Sequence, residues 1–301
     1  MMVPTRSTHP KTQAHGAEST AYGGRLLRGL ASLALAASVL ASAATPVAGQ
    51  SAGEIIDRML DAYEARTEGI DDYTLVQRFM GFETSSYFVK EMEDGRPVFR
   101  LQESTAGDME MEEAGPGTLD EIYAIGEEFK RNAEYVGRET VAGNDVHVLD
   151  ITDLESTSFG RSMAQDSQFR PVSGRIYLDA ETYVPRRMVF DGELTNPEGT
   201  HQVTSTMDLE DYRDHQGMLI AHRTVMTIEG LGAAIDEEAR AQFEQMEEEL
   251  ANMPPEQRQM VEAMMSEQLE QFRAMMEGDD QPMVVEVEVQ EVRVNAGPPG
   301  A

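Results

Sequence analysis

The feature that most constrains this chain is a succession of short segments alternating apolar and polar side chains, separated by tight-turn residues. The alternation runs over residues 73–80, 83–92, 97–103, 134–141, 145–151, 174–178, 186–193, 200–212, 218–229 and 283–294. Between them stand Gly81-Phe82, Asp94-Gly95, Ala142-Gly143-Asn144, Asp179 to Thr182, Asn196-Pro197 and His215 to Gly217. An Asp-Gly pair between alternating segments signals a hairpin, because those residues tolerate the positive φ angles such turns need. Strands joined by turns this short pair antiparallel with their sequence neighbours, which predicts a meander of about ten or eleven strands. In the last segment Val285, Val287 and Val289 share one phase, whereas Val292 and Val294 take the other. The slip at Gln290-Glu291 predicts a β-bulge, a device for bending a sheet.

A large curled sheet needs cover for its apolar face, and two short helices are available. Ser51-Ala52-Gly53-Glu54 has the capping-box pattern, and Ile55, Ile56, Met59, Leu60 and Tyr63 follow at helical spacing until Gly69. Residues 119–130 read as the second helix. Residues 104–117 and 152–171 read as loops. Between Gly230 and Gln281 the period becomes helical, with Pro254-Pro255 between two apolar stripes, predicting an inserted helical hairpin over 235–280. That segment carries 14 acidic and 3 basic residues and 7 of the 20 methionines. The expected class is therefore α+β: a curled antiparallel sheet in an open half-barrel, covered by short helices, with an inserted acidic hairpin.

Residues 1–49 read as a signal peptide. Arg25 and Arg28 lead into an apolar run ending at Leu40, and small residues follow through Ala43 to Gly49. The remaining domain spans 50–301, and its removal from the leader takes the net charge from −31 to −34. Such acidity disfavours nucleic acid as a partner. With no cysteine anywhere, disulfides, thiolate metal sites and lipid-modified cysteine are excluded. These features imply an exported, periplasmic protein with no stable membrane anchor after cleavage.

No catalytic pattern emerges. His147, His201, His215 and His222 form no close metal-ligand spacing, and each reads as structural. Gly160-Arg161-Ser162-Met163-Ala164 fails the nucleophile-elbow pattern at its last position. Gly230-Leu231-Gly232 is followed by Asp236, Glu237 and Glu238, which would repel a pyrophosphate. Neither a cofactor nor a metal is expected, and the protein reads as non-catalytic.

Four strings carry a family resemblance: Ala52-Gly53-Glu54-Ile55-Ile56, Asp94-Gly95-Arg96-Pro97-Val98-Phe99, Ile176-Tyr177-Leu178-Asp179 with Tyr183-Val184-Pro185, and Asp211-Tyr212-Arg213-Asp214-His215-Gln216-Gly217. In this order the chain resembles the LolA/LolB-like superfamily of bacterial envelope lipoprotein carriers over roughly 52–230 and 283–294. It departs from that pattern at Ile220-Ala221-His222, and the carriers' functional arginine has no matching position. The resemblance implies a half-barrel whose concave side holds acyl chains of lipid or lipoprotein. Residues expected to line it are Val76, Met80, Phe88, Phe99, Met188, Phe190, Met207, Met226 and Ile228. Methionine suits such a cavity because its unbranched chain repacks around variable tails. The alternative is a protein-interaction or chaperone-like module binding an envelope partner through Phe243, Met246, Met264, Leu269 and Phe272 of the hairpin.

Overall fold

The computed structural model describes residues 50–79, 81–106, 109–111, 120–158, 160–161, 169–197, 199–235, 237–255, 258–259, 273–274 and 281–298. Residues 1–49, read above as a signal peptide, lie outside them, as do Met80, Met264, Leu269 and Phe272. No helix among the described residues is long and apolar enough to cross a membrane.

Among the described residues, eleven strands form one antiparallel sheet: β1 (Asp72–Phe79), β2 (Phe82–Glu93), β3 (Arg96–Ala106), β4 (Met109–Met111), β5 (Ala133–Val141), β6 (Asn144–Ile151), β7 (Phe169–Asp179), β8 (Pro185–Asn196), β9 (Gly199–His215), β10 (Met218–Glu229) and β11 (Met283–Val294). Their order is β4-β3-β2-β1-β11-β10-β9-β8-β7-β6-β5, so β4 and β5 are the edges and the sheet is open. Three connections are two-residue turns whose central residues both have positive φ: Asp94-Gly95, Ala142-Gly143 and Gln216-Gly217. That backbone matches the right-handed twist of the flanking strands. The expected bulge is present: Val76 faces Glu291 and Gln77 faces Val289, leaving Gln290 as the extra residue.

Helix α1 (Ala52–Arg66) starts on the expected capping box, in which the Glu54 amide donates to Ser51 Oγ at 3.2 Å and the Ser51 amide donates to Glu54 Oε2 at 2.8 Å. Its buried stripe of Ala52, Ile55, Ile56, Met59, Leu60 and Tyr63 follows the 3.6-residue repeat. Ile55, Ile56 and Met59 are almost wholly buried, each contributing about 1.5–3 kcal/mol relative to exposure. The first part of this stripe packs with Leu149 and Ile151 of β6, Ile176 and Leu178 of β7, Met188 and Phe190 of β8, and Leu209 of β9. Tyr63 instead packs with Tyr73, Leu75, Phe88 and Phe99 of β1–β3 and with Met218 and Val289. One helix therefore touches both halves of one sheet, which requires the sheet to curl around it.

The second predicted helix is two pieces, α2 (Asp120–Ala124) and α3 (Gly126–Asn132). Gly126 sits at the break because Leu60 presses on it: a Cβ there would lie 2.7 Å from Leu60 Cδ2. Two loop expectations need correction. The 104–117 segment contains the end of β3 and all of β4, and the 152–171 segment contains a 3-10 turn (Leu154–Ser156) and the start of β7. Both strands are short or irregular at these points. Val172 is an unpaired bulge residue beside Pro171, which blurs the alternation a strand would otherwise show.

The outer face of β6–β11 carries ion pairs, beside a small apolar cluster of Val146 and Val148 on β6 with Tyr177 on β7. Arg175 Nε donates to Asp150 at 2.5 Å, Arg187 Nε to Asp208 at 2.6 Å, and Arg223 bridges Glu210 and Glu286 at 2.5 and 2.6 Å. Such partly exposed pairs add only about 0.2–1 kcal/mol each. Their larger consequence is that the part of this face they occupy is suited to water and not to lipid tails.

Past β10, a 3-10 turn (Gly232–Ala234) leads into helix α4 (Glu237–Asn252), where Phe243 and Leu250 are buried. Arg273 Nε donates to Glu247 at 2.6 Å, placing residue 273 beside α4.

Candidate functional site

The concave face is set by strand alternation and register. One row runs straight across five strands: Ile176, Met188, Met207, Met226 and Val285 are successive partners. The next row is Gly174, Phe190, Ser205, Ile228 and Met283. Residues two apart on a strand share a face, so both rows look inward, toward α1. Gly174 makes room for its neighbour, since a Cβ there would lie 3.0 Å from the Phe190 ring.

Cover is uneven along these rows. Ile176, Met188 and Phe190 are sealed beneath the helices in the core. Met207 is half-buried against that core, and Met226, Ile228 and Met283 are half-buried outside it. The apolar rows thus run out from under the helices toward β10 and β11. Beyond them the inward face turns polar at Thr224, Gln77 and Thr84, all nearly inaccessible. Gln77 and Thr84 are direct cross-strand partners, and Gln77 Oε1 and Thr84 Oγ1 have no hydrogen-bond partner among the described residues. An unsatisfied buried polar atom is uncommon and costs about 1–3 kcal/mol.

Of the nine residues expected to line a cavity, Phe88, Phe99, Met188, Phe190, Met207, Met226 and Ile228 share the concave face. Phe88 and Phe99 are used up in packing: Tyr73 stacks on Phe88 at 4.7 Å and meets Phe99 edge-on at 5.1 Å. Val76 belongs to the opposite face, because it alternates with Tyr73 and Leu75 on β1 and pairs with Ser85 and Glu291. Met80 is outside the described residues. Of the residues expected on an inserted helical hairpin, Phe243 is buried, Met246 lies within α4, and Met264, Leu269 and Phe272 are outside the described residues.

A groove of about 560 Å³ lies elsewhere, between the end of α1 and the β2–β3 hairpin. Asp61, Glu64 and Glu68 line it together with Lys90, Met92 and Pro97. Lys90 Nζ donates to the Thr67 carbonyl at 2.6 Å. Its acidic wall makes it a poor host for an acyl chain.

Two of the histidines, His147 and His222, are buried, whereas His201 and His215 are half-buried. His147 is fully buried, with Nδ1 3.0 Å from the Tyr135 hydroxyl and its ring stacked on Tyr183. Burial, followed by the charges of Arg138 and Arg58, lowers its pKa to about 4. His215 and His222 meet Nε2 to Nε2 at 2.8 Å. No alternation or spacing rule exposes that meeting, because the pairs Ala221–Tyr212 and Arg223–Glu210 flank His222 at the level of Asp211, four residues from His215. Asp211, at φ 51°, interrupts the regular extended backbone there. Among the described residues, no group of three or more potential ligands could hold a metal ion.

The turn after β7 shows how the recurring Asp179…Tyr183-Val184-Pro185 string works. Asp179 Oδ1 accepts from the Glu181 and Thr182 amides and the Thr182 hydroxyl, and Oδ2 accepts from Arg186 Nε at 3.0 Å. Burial alone would raise this carboxyl, but those donors hold it below the usual carboxylate range. They also hold Tyr183 at φ 58°, placing its ring on His147 and its hydroxyl 3.2 Å from Arg58.

No family model matches the sequence, and no curated protein does. Among solved structures the chain is similar to an outer membrane lipoprotein-sorting protein domain from Vibrio parahaemolyticus, at 12% identity and TM-score 0.38, covering 83% of this chain and 95% of that one. It is similar at the same TM-score, 0.38, and 11% identity to a DUF1329 family protein from Desulfovibrio piger, covering 82% and 93% of the two chains. A Pseudomonas aeruginosa MucA/MucB complex matches at 10% identity and TM-score 0.22, covering 82% of this chain and 99% of that one.

Proposed function

We propose that this protein is a non-catalytic binder or carrier of acyl chains, from lipid or lipidated protein, acting in the periplasm after removal of residues 1–49. The observation that carries the reading is the pair of inward rows that emerge half-buried at Met207, Met226, Ile228 and Met283, on strands whose outer face carries ion pairs. An acyl chain laid along them gains on the order of 0.8 kcal/mol per buried CH₂ before ordering costs. Flexible thioether side chains can give way to it without breaking backbone pairing. Gln77 and Thr84 offer hydrogen bonds to a polar group of the ligand, once the side chains now covering them are displaced. The interaction-module reading has less support, because Phe243 and Leu250 are already buried within the protein.

The test is titration with a fluorescent fatty-acid probe, beside native mass spectrometry of protein purified from its own envelope. Binding by the unaltered chain, lost on Met226→Glu and Ile228→Glu while the far-UV spectrum is unchanged, is the expected result. No probe binding and no copurified lipid, or undiminished binding in both variants, would refute it.

A further inference from the structure

His215 ends β9 and His222 lies on β10, in phase with Met218, Ile220 and Thr224. Their Nε2 atoms are 2.8 Å apart, the ring planes differ by 14°, and the ring centroids are 5.1 Å apart. That centroid separation is the N–N gap plus the two ring radii, so the ring axes are nearly collinear and each Nε2 points straight at the other. Such directions meet at a shared proton. A chelated metal ion would need both lone pairs aimed at a common point to one side.

We infer that His215 and His222 are a proton-sharing pair that acts as an acid-triggered release for the tip of the β9–β10 hairpin. The neutral pair is held by one N–H donating to the opposite lone pair. A first added proton preserves that bond, now from a cation to a neutral ring. A second leaves two N–H groups head to head, and the rings must part. Other charges near the pair are divided. Burial opposes charge on both rings; Asp214 favours it on His215, whereas Arg213 opposes it. For His222, Arg213 and His215 oppose charge, and the Val289 backbone and Asp211 favour it.

The residues enclosed by the pair give its parting a structural effect. Met218 and Ile220 pack in the cluster that holds Tyr63 of α1 and Ile70 just after it. Gly217 passes so close to the end of α1 that a Cβ there would lie 3.1 Å from the Arg66 carbonyl. Separation of the rings lifts this tip from the end of α1, on the side of the sheet that faces the helices.

Hydrogen–deuterium exchange on the full chain tests the device. Between about pH 7.5 and about pH 4.5, after correction for intrinsic rates, amides 216–221 should exchange about tenfold faster in acid, and His222→Gln should abolish the acceleration. An unchanged acceleration in His222→Gln, or none in the unaltered chain, overturns the inference. If His222→Gln does not fold, imidazole titration by NMR on the unaltered chain decides. Two steps more than about one pH unit apart support a shared proton, and two coincident steps overturn it.

Discussion

His147 makes the stability of this fold depend on pH in a way that can be calculated before it is measured. In the unfolded chain an imidazole titrates near about 6.5, and in the folded protein burial, Arg138 and Arg58 lower this one to about 4. Above the unfolded value both states are neutral and stability is complete. As the pH falls through that value, the unfolded chain takes up a proton that the folded protein refuses, so stability declines until the folded value is reached. At about 1.36 kcal/mol per pH unit, the whole window amounts to about 3 kcal/mol. The loss by pH 4.5 is about 2.5 kcal/mol, a large share of a typical stability of about 5–15 kcal/mol. Urea unfolding followed by far-UV circular dichroism measures it, since the chain has no tryptophan to report. The comparison is with His147→Asn, whose amide can still meet the Tyr135 hydroxyl but cannot titrate. Carboxylates and the other histidines titrate in both proteins and cancel in the difference. The unaltered protein should lose about 2–3 kcal/mol more than the variant between about pH 7 and about pH 4.5. Parallel stability profiles would refute the assignment of a neutral, buried His147.

Two further substitutions probe packing and capping. Gly192→Ala puts a methyl 2.2 Å from Phe169 Cζ and 2.9 Å from the Arg170 carbonyl, so it should destabilise by about 1–3 kcal/mol, read as a lowered urea midpoint; an unchanged midpoint would mean that β7 yields freely there. Ser51→Ala removes the side-chain half of the α1 capping box and should cost about 1 kcal/mol, visible as a lower thermal midpoint that Ser51→Asp restores.

Local chemistry was written openly in the chain. The capping box, the glycine turns and the phase slip at Gln290 each depend on a few adjacent residues, and each forms as expected. The candidate site was only partly readable. Alternation identifies two faces for a strand but not which one turns inward, and Val76 lies on the outer one while Met188, Met207 and Met226 line up inside. Phe88 and Phe99 could not be recognised as core until Tyr73 was seen against their rings. The His215–His222 meeting depends on how the hairpin coils near Asp211, a property of three-dimensional path and not of spacing.

The position of β11 has a consequence for how the molecule comes together. It lies between β1 and β10, so this one strand, more than 200 residues from β1, joins two otherwise separate meanders, β1–β4 and β5–β10. Each meander can zip from its own short turns, but the seam waits for β11: Tyr73 pairs with Val294. Such long-range closure is entropically costly and slow. Asn295 then acts as a latch, its side chain accepting from the Asp71 amide at 2.7 Å and donating to the Gly69 carbonyl at 2.9 Å. Until that latch closes, β1 and β10 are two bare edges open to pairing with other chains. Loss of β11 would therefore leave a protein that is sticky as well as shortened.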